Sequence, residues 1–303
     1  QSALLLFMAS MLGLVLSDNL VLLFIFWELT SITSYLLIGY DHDRVEARRA
    51  ALQALLVTGG GGLLLLAGLV LLGLGSGHWT LSALLADLRA ALEAPTASAA
   101  LVLILLGCFT KSAQVPFHFW LPNAMVAPTP ASAYLHSSTM VKAGVYLLGR
   151  LLPLFGEHAL WAPLLQAAGW ATFLLGAFMV LRTTQAKRLL AYTTLSALGL
   201  MTLLLGMGGA WAVKAVALLL PAHALYKGAL FLLVGALDHA TGEKDLARLG
   251  GLRSELPTLF VGGLLAALST VGLAPFLGFL AKEALFEVGM PGGGWPRIVL
   301  LVA

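Results

Sequence analysis

Long apolar runs separated by short polar connections dominate the chain. Runs of membrane-spanning length cover residues 3–17, 20–40, 50–75, 98–127, 132–152, 159–181, 187–206, 211–238 and 258–288, and a tenth begins near residue 297. A bilayer core is crossed by ~20 apolar residues of α-helix. Lipid satisfies no backbone donor or acceptor, so runs of this length predict helices, and the pattern predicts an all-α, polytopic membrane helix bundle. Two runs exceed what one helix needs and contain prolines: 98–127 holds Pro116 and Pro122, and 258–288 holds Pro275 near Gly272 and Gly278. Proline lacks the N–H and clashes with the preceding turn, so both runs predict broken helices. In the connection 78–97, leucines at spacings of three and four across 84–93 predict a short amphipathic helix on the membrane surface.

Four unbroken spans separate the two broken ones. A unit of five spans is odd, so successive units insert with opposite topology. Matching interrupted helices in two halves point to inverted repeats with sites at the breaks. The expected organisation is a first repeat over 1–152 and a second over 153–303, each with one broken helix.

Composition agrees with this class. Of 303 residues 60% are hydrophobic and 10% charged, against ~25% charged in soluble domains. The single cysteine, Cys108, excludes an internal disulfide framework and multi-cysteine metal motifs. No Walker-type loop, dinucleotide fingerprint, HExxH or zinc pattern occurs, so no cofactor or metal is expected. The formal charge of +3 is too small to predict nucleic acid as a partner. Gln1-Ser2-Ala3 lacks the basic start of a cleavable signal peptide. The chain opens without methionine inside one apolar stretch and stops in another, 298–303, so a fragment of a longer protein is expected.

Basic residues set the orientation. Arg44, Arg48, Arg49, Arg182, Lys187, Arg188, Lys244, Arg248 and Arg253 collect on one side, against Arg89, Arg150, Lys214 and Arg297 on the other. Loops 41–49, 182–188 and 239–256 are therefore expected in the cytoplasm of a prokaryotic cell whose plasma membrane holds the chain. Four lysines, Lys111, Lys142, Lys227 and Lys282, fall within spans.

An ammonium in hydrocarbon costs at least ~2.5–3.5 kcal/mol, which makes each intramembrane lysine a functional candidate. Lys111 precedes Ser112-Ala113-Gln114-Val115-Pro116, at the first break. Glu28 lies mid-span with no lysine in its own helix. Unpaired, it would keep its proton; beside a lysine from another helix it would ionise, and the two would form either a proton switch or a static ion pair. His136 and Lys142 lie six apart, about 240° of net rotation on a regular helix, with Thr139 three from each as a bridging hydroxyl. His136 reads equally as a hydrogen-bonded core histidine. His223 and Lys227, four apart, share a helical face and form a second titratable pair. Lys282 follows the second break and is expected to face inward, with neighbouring Glu283 at a helix end or exit path and Glu287 at the outer interface. His118 is expected to cap the first break or to carry protons, and Gly59–Gly62 to allow close helix packing.

These residues resemble the antiporter-like subunits shared by respiratory complex I, membrane-bound hydrogenases and Mrp-type multisubunit cation/proton antiporters. The resemblance runs from Phe26-Trp27-Glu28, through Lys111 to Pro122 and Lys187-Arg188-Leu189-Leu190-Ala191-Tyr192-Thr193-Thr194-Leu195-Ser196, to Gly278-Phe279-Leu280-Ala281-Lys282-Glu283. It implies a core of fourteen helices, of which 1–152 would hold the fourth to eighth and 153–303 the ninth to twelfth with the start of the thirteenth. It also implies roles: Glu28 as the glutamate of the fifth helix, Lys111 as its partner on the broken seventh, Lys142 on the eighth, His223 and Lys227 as the relay of the eleventh, and Lys282 on the exit side of the broken twelfth. The stretch from Ala127 to Tyr146 is similar to the large A subunit of Mrp antiporters, whereas the distal subunit of complex I usually lacks a lysine at the place of Lys142.

The resemblance implies proton translocation, with Na⁺ as counter-ion and other membrane subunits as partners. In complex I or a hydrogenase the same channel would be driven by redox chemistry elsewhere. The chain would not be a catalyst by itself, only a component of an NADH:quinone reductase.

Overall fold

Helices form the whole framework of the computed structural model, which describes residues 1–289. The tenth apolar run and Arg297 lie outside the described residues. The first three helices are α1 (Ser2–Leu16), α2 (Leu20–Ile38) and α3 (Val45–Ser76). Asn19 starts α2 by accepting from Val21 N and Leu22 N, the side-chain capping that unsatisfied first-turn amides require. Gly77, at φ 75°, ends α3 in the left-handed conformation open to glycine.

The surface connection differs from the single helix expected over 84–93. It forms two short helices, α4 (Leu81–Ala86) and α5 (Leu88–Leu92). Asp87 divides them: its backbone leaves helical geometry (φ −129°, ψ 70°) and its carboxylate accepts from Ala90 N. A short acidic side chain that captures a backbone amide competes with helix continuation, and leucine spacing does not reveal that competition.

Next comes α6 (Ala97–Lys111), which stops at the first predicted break. A tight turn at Phe117–Phe119, α7 (Trp120–Asn123), a turn at Ala124–Val126 and α8 (Thr129–Ser132) follow. The expected span 132–152 begins as a wide π turn over Ala133–Ser138, leaves helical geometry at Thr139 (φ −124°, ψ −92°), and becomes regular only in α9 (Ala143–Phe155). The even 100° step assumed between His136 and Lys142 therefore does not hold there.

The remaining helices are α10 (Trp161–Val180), α11 (Ala186–Met207), α12 (Gly209–Thr241), α13 (Leu252–Glu255), α14 (Pro257–Val271) and α15 (Leu277–Gly289). The second predicted break separates α14 from α15. Five helices, α2, α3, α10, α11 and α12, are each long and apolar enough to cross a membrane, by length and composition. The 33 residues of α12 extend about 50 Å at 1.5 Å per residue.

Helices associate here through small residues, as lipid-facing bundles require. Gly169 and Gly176 of α10 lie against the backbone of Leu203 and Ser196 in α11, and Gly199 and Gly206 of α11 return the contact against Phe173 and Leu165. A methyl group at any of these glycines would collide with its neighbour. The expectation for Gly59–Gly62 holds in part: Gly61 packs on Thr110 and Gly62 on Glu28, whereas Gly60 faces open space.

Backbone groups freed at the first break are met by protein. Ala113 has a positive φ of 50°. Val115 N donates to Thr172 Oγ1 of α10 at 2.9 Å, Trp120 Nε1 to Thr110 O at 3.0 Å, and Val145 N, in the first turn of α9, to Ser112 Oγ at 3.2 Å. A non-helical segment persists at membrane depth only with such partners.

Loops of like predicted side meet. Leu20 N donates to Trp79 O at 2.9 Å and Leu81 N to Asp18 O at 2.8 Å. At the opposite end, Ala186 N donates to Lys244 O at 3.1 Å and Leu246 N to Thr184 O at 3.0 Å. The loops assigned to the cytoplasm, 182–188 and 239–256, thus share one face.

Candidate functional site

Lys111 is the last residue of α6 and is fully buried. Its position at the carboxyl end of a helix, where the carbonyls point outward, favours a cation. Its ammonium donates to Trp27 O at 2.9 Å and Ser31 Oγ at 2.7 Å, both on α2, and lies 5.1 Å from the centre of the Trp27 ring. The cation thus has two neutral oxygens and an aromatic face. The expected partner, Glu28, is on the same helix between these two residues. No ion pair within 4.0 Å joins it to Lys111; the four such pairs among the described residues all lie in loops or surface helices. Glu28 Oε1 is buried against Gly62 without a hydrogen-bond partner. The two groups are neighbours in charge but are held by different contacts.

A second cluster forms where the π turn, α9, α11 and α12 meet. Lys142 and Lys227 are each 3% exposed, and His136 and His223 are fully buried. Lys142 Nζ donates to Leu220 O at 3.0 Å, on the carbonyl immediately before Pro221 of α12. Lys227 Nζ donates to the Thr193 hydroxyl of α11. The ring of His223 packs edge-on against Tyr226, with centroids 5.4 Å apart. His136 packs against Trp120, with centroids 6.1 Å apart. The ring nitrogens of both histidines are buried and meet no protein group within hydrogen-bonding geometry.

Other predicted residues fall elsewhere. The Thr139 hydroxyl donates to Tyr134 O at 2.6 Å, closing its own turn rather than bridging His136 and Lys142. His118 lies on the turn after the break and its Nδ1 has no protein partner; capping of the break falls to Thr172, Ser112 and Trp120. Lys282 is half-buried, its aliphatic chain against Gly272 at the second break, and Glu283 and Glu287 are exposed. Among the described residues, no cluster of three histidine, cysteine or acidic side chains could hold a metal.

Ser31 and Thr193 are lysine partners that charge alone did not reveal. Ser31 is three residues beyond Glu28, one helical turn away, and Thr193 lies within the Lys187–Ser196 motif. Both are hydroxyls on spans, a signal that becomes specific only when a lysine from another helix arrives.

At the face of loops 182–188 and 239–256, a cavity of about 750 Å³ opens among Asp41, Arg44, Lys187, Asp238, Lys244 and neighbouring residues. It brings loop 41–49 to the same side.

With this geometry in hand, residues 17–303 match the family model described as NADH:quinone oxidoreductase/Mrp antiporter, TM. The chain belongs to this family. Among its relatives in the NADH:quinone oxidoreductase/Mrp antiporter family is the A/B subunit of a probable K(+)/H(+) antiporter of Rhizobium meliloti, 49% identical over 92% of this chain and 28% of that one. The A subunit of the Na(+)/H(+) antiporter of Alkalihalophilus pseudofirmus is 44% identical over 93% of this chain and 37% of its own length. Solved structures that share the fold include two membrane complexes. The Mrp complex from Dietzia sp. DQ12-45-1b matches with a TM-score of 0.89 and 43% identity over 97% of this chain and 33% of that chain. The membrane-bound sulfane sulfur reductase, an archaeal respiratory membrane complex, matches with a TM-score of 0.90 and 26% identity over 99% of this chain and 62% of that chain. The chain spans about a third of the length of the curated relatives it matches.

Proposed function

We propose that this chain is the proton-translocating part of a multisubunit, Mrp-type Na⁺(cation)/H⁺ antiporter, working with other membrane subunits. One observation carries the reading: Lys111, Lys142 and Lys227, all buried, are each held by neutral oxygens rather than by a carboxylate. A carboxylate within contact distance would lock each ammonium in its charged form, whereas a carbonyl or hydroxyl lets the proton leave. Groups of this kind suit a relay and do not suit a static ion-pair scaffold.

In the relay, Glu28 biases the charge of Lys111 through space. A proton released there moves by ordered water and side chains towards His136, Lys142, His223 and Lys227, and leaves by Lys282 with Glu283 at the exit. His118 and Thr139 would be accessory to this path, Thr139 by closing the turn that carries His136. Residues 1–152 and 153–303 would form two inverted repeats, with the breaks at Pro116 and Pro275 in corresponding places.

Lys111→Ala or Glu28→Ala in the assembled complex should abolish proton-coupled cation transport in everted vesicles. Full activity in either variant sinks the mechanism. A second reading, a proton-pumping component of complex I or a membrane-bound hydrogenase, draws on the likeness to the archaeal respiratory complex. The higher identity to antiporter subunits favours the first. Flavin or iron in the purified intact complex would reverse that preference.

A further inference from the structure

Helix α12 carries more than the His223 and Lys227 pair. Continuing at the same spacing, Phe231 is the next residue on that face and is fully buried, as are His223 and, nearly so, Lys227. Val234 and Asp238 come next, and both line the cavity at the loop face. From Lys227 to Asp238 is eleven residues, three turns with about 20° of drift, so the two side chains project on one side of the helix. Along the axis, Phe231 lies about 6 Å from Lys227, and Val234 about 10 Å.

Neighbouring elements close the sides of this line. Thr129, at the start of α8, packs against Gly235 so tightly that a methyl group there would collide. Lys187 Nζ of α11 donates to Ala127 O at 3.2 Å, tying the wall of the cavity to the same segment. The cavity is lined by charged groups of both signs, including Asp41, Arg44 and Lys244 beside Asp238. Such a surface is a place for water and ions. Along the helix axis the buried Phe231 comes between the cavity-lining Val234 and Lys227.

We propose that this face of α12 is the cytoplasmic access route to the proton path, with Asp238 the carboxylate at its mouth and Phe231 the apolar barrier that keeps cavity water from Lys227. The inference rests on the proton-translocating reading and goes beyond it by naming where the path meets water and what stops a leak. A ring at this place lets protons pass only when the surrounding helices shift it, which ties conduction to the state of the complex. An open wire from cavity to lysine would dissipate the gradient.

The test is cysteine accessibility in the full-length chain within its complex, in a background free of other reactive cysteines. A membrane-impermeant methanethiosulfonate reagent is added to everted vesicles, which expose the cytoplasmic face. Val234→Cys and Asp238→Cys should be modified readily and Lys227→Cys should resist while Phe231 is present. Combining Lys227→Cys with Phe231→Ala should expose the cysteine, and Phe231→Ala alone should raise passive proton conductance severalfold. Phe231→Leu should stay tight. Equal modification of Lys227→Cys and Val234→Cys with Phe231 intact overturns the barrier, and protection of both Val234→Cys and Asp238→Cys overturns the route. None of these labelling readouts needs transport. An intact labelling pattern together with full transport in Lys111→Ala would refute the proton-path reading and leave the water boundary standing.

Discussion

The ammonium of Lys111 donates to the backbone carbonyl of Trp27 at 2.9 Å, one residue before Glu28 in the chain. The buried lysine is therefore anchored to the same helix that carries the half-buried Glu28, but through a neutral oxygen. The carboxylate of Glu28 itself rests against Gly62.

The seat of Glu28 is the first consequence. Gly62→Ala would place a methyl group on the position of Glu28 Oε1, whereas Gly60→Ala meets nothing within 4 Å. Transport in vesicles should fall in Gly62→Ala nearly as far as in Glu28→Ala and stay at the parental rate in Gly60→Ala. Equal rates in the two glycine variants would show that the carboxylate's position does not matter.

Thr193 supplies the hydrogen bond to Lys227. A hydrogen bond to a charged group contributes ~1.5–3 kcal/mol, and removing it disfavours the ammonium. Thr193→Val should slow transport about tenfold, the factor that 1.4 kcal/mol represents, while Thr193→Ser retains activity. A valine variant as fast as the parent would remove Lys227 from the relay as drawn.

Thr172 tests the first break rather than the relay. Thr172→Val strands the Val115 N–H, now satisfied at 2.9 Å, and an unsatisfied buried donor costs ~1–3 kcal/mol. Thermal unfolding of the solubilised complex should shift down by several degrees. Thr202→Val removes a buried hydroxyl that bonds no protein group, and should shift the midpoint less; similar shifts in both variants would count against the role given to Thr172.

Much of the architecture was legible in the chain. The apolar runs, the two breaks at Pro116 and Pro275, and the set of intramembrane ionisable residues all follow from constraints that act locally: lipid demands helices of fixed length, proline interrupts them, and a charge in hydrocarbon calls for a purpose. The split at Asp87 and the π turn through His136 were not legible, because a single carboxylate and a single widened turn leave the apolar spacing unchanged.

The sequence by itself determined the class of fold, where its two proline-bearing runs break and which groups carry protonable charge, since each depends on a short stretch of residues in a known solvent. Tertiary structure alone decided what those groups touch. The partners of Lys111, Val115 and Lys227 lie 84, 57 and 34 residues away along the chain. Which oxygen meets which ammonium depends on how each helix is rotated and how closely glycines let its neighbour approach. That rotation is fixed by packing among all the helices at once, so it is written in no single segment.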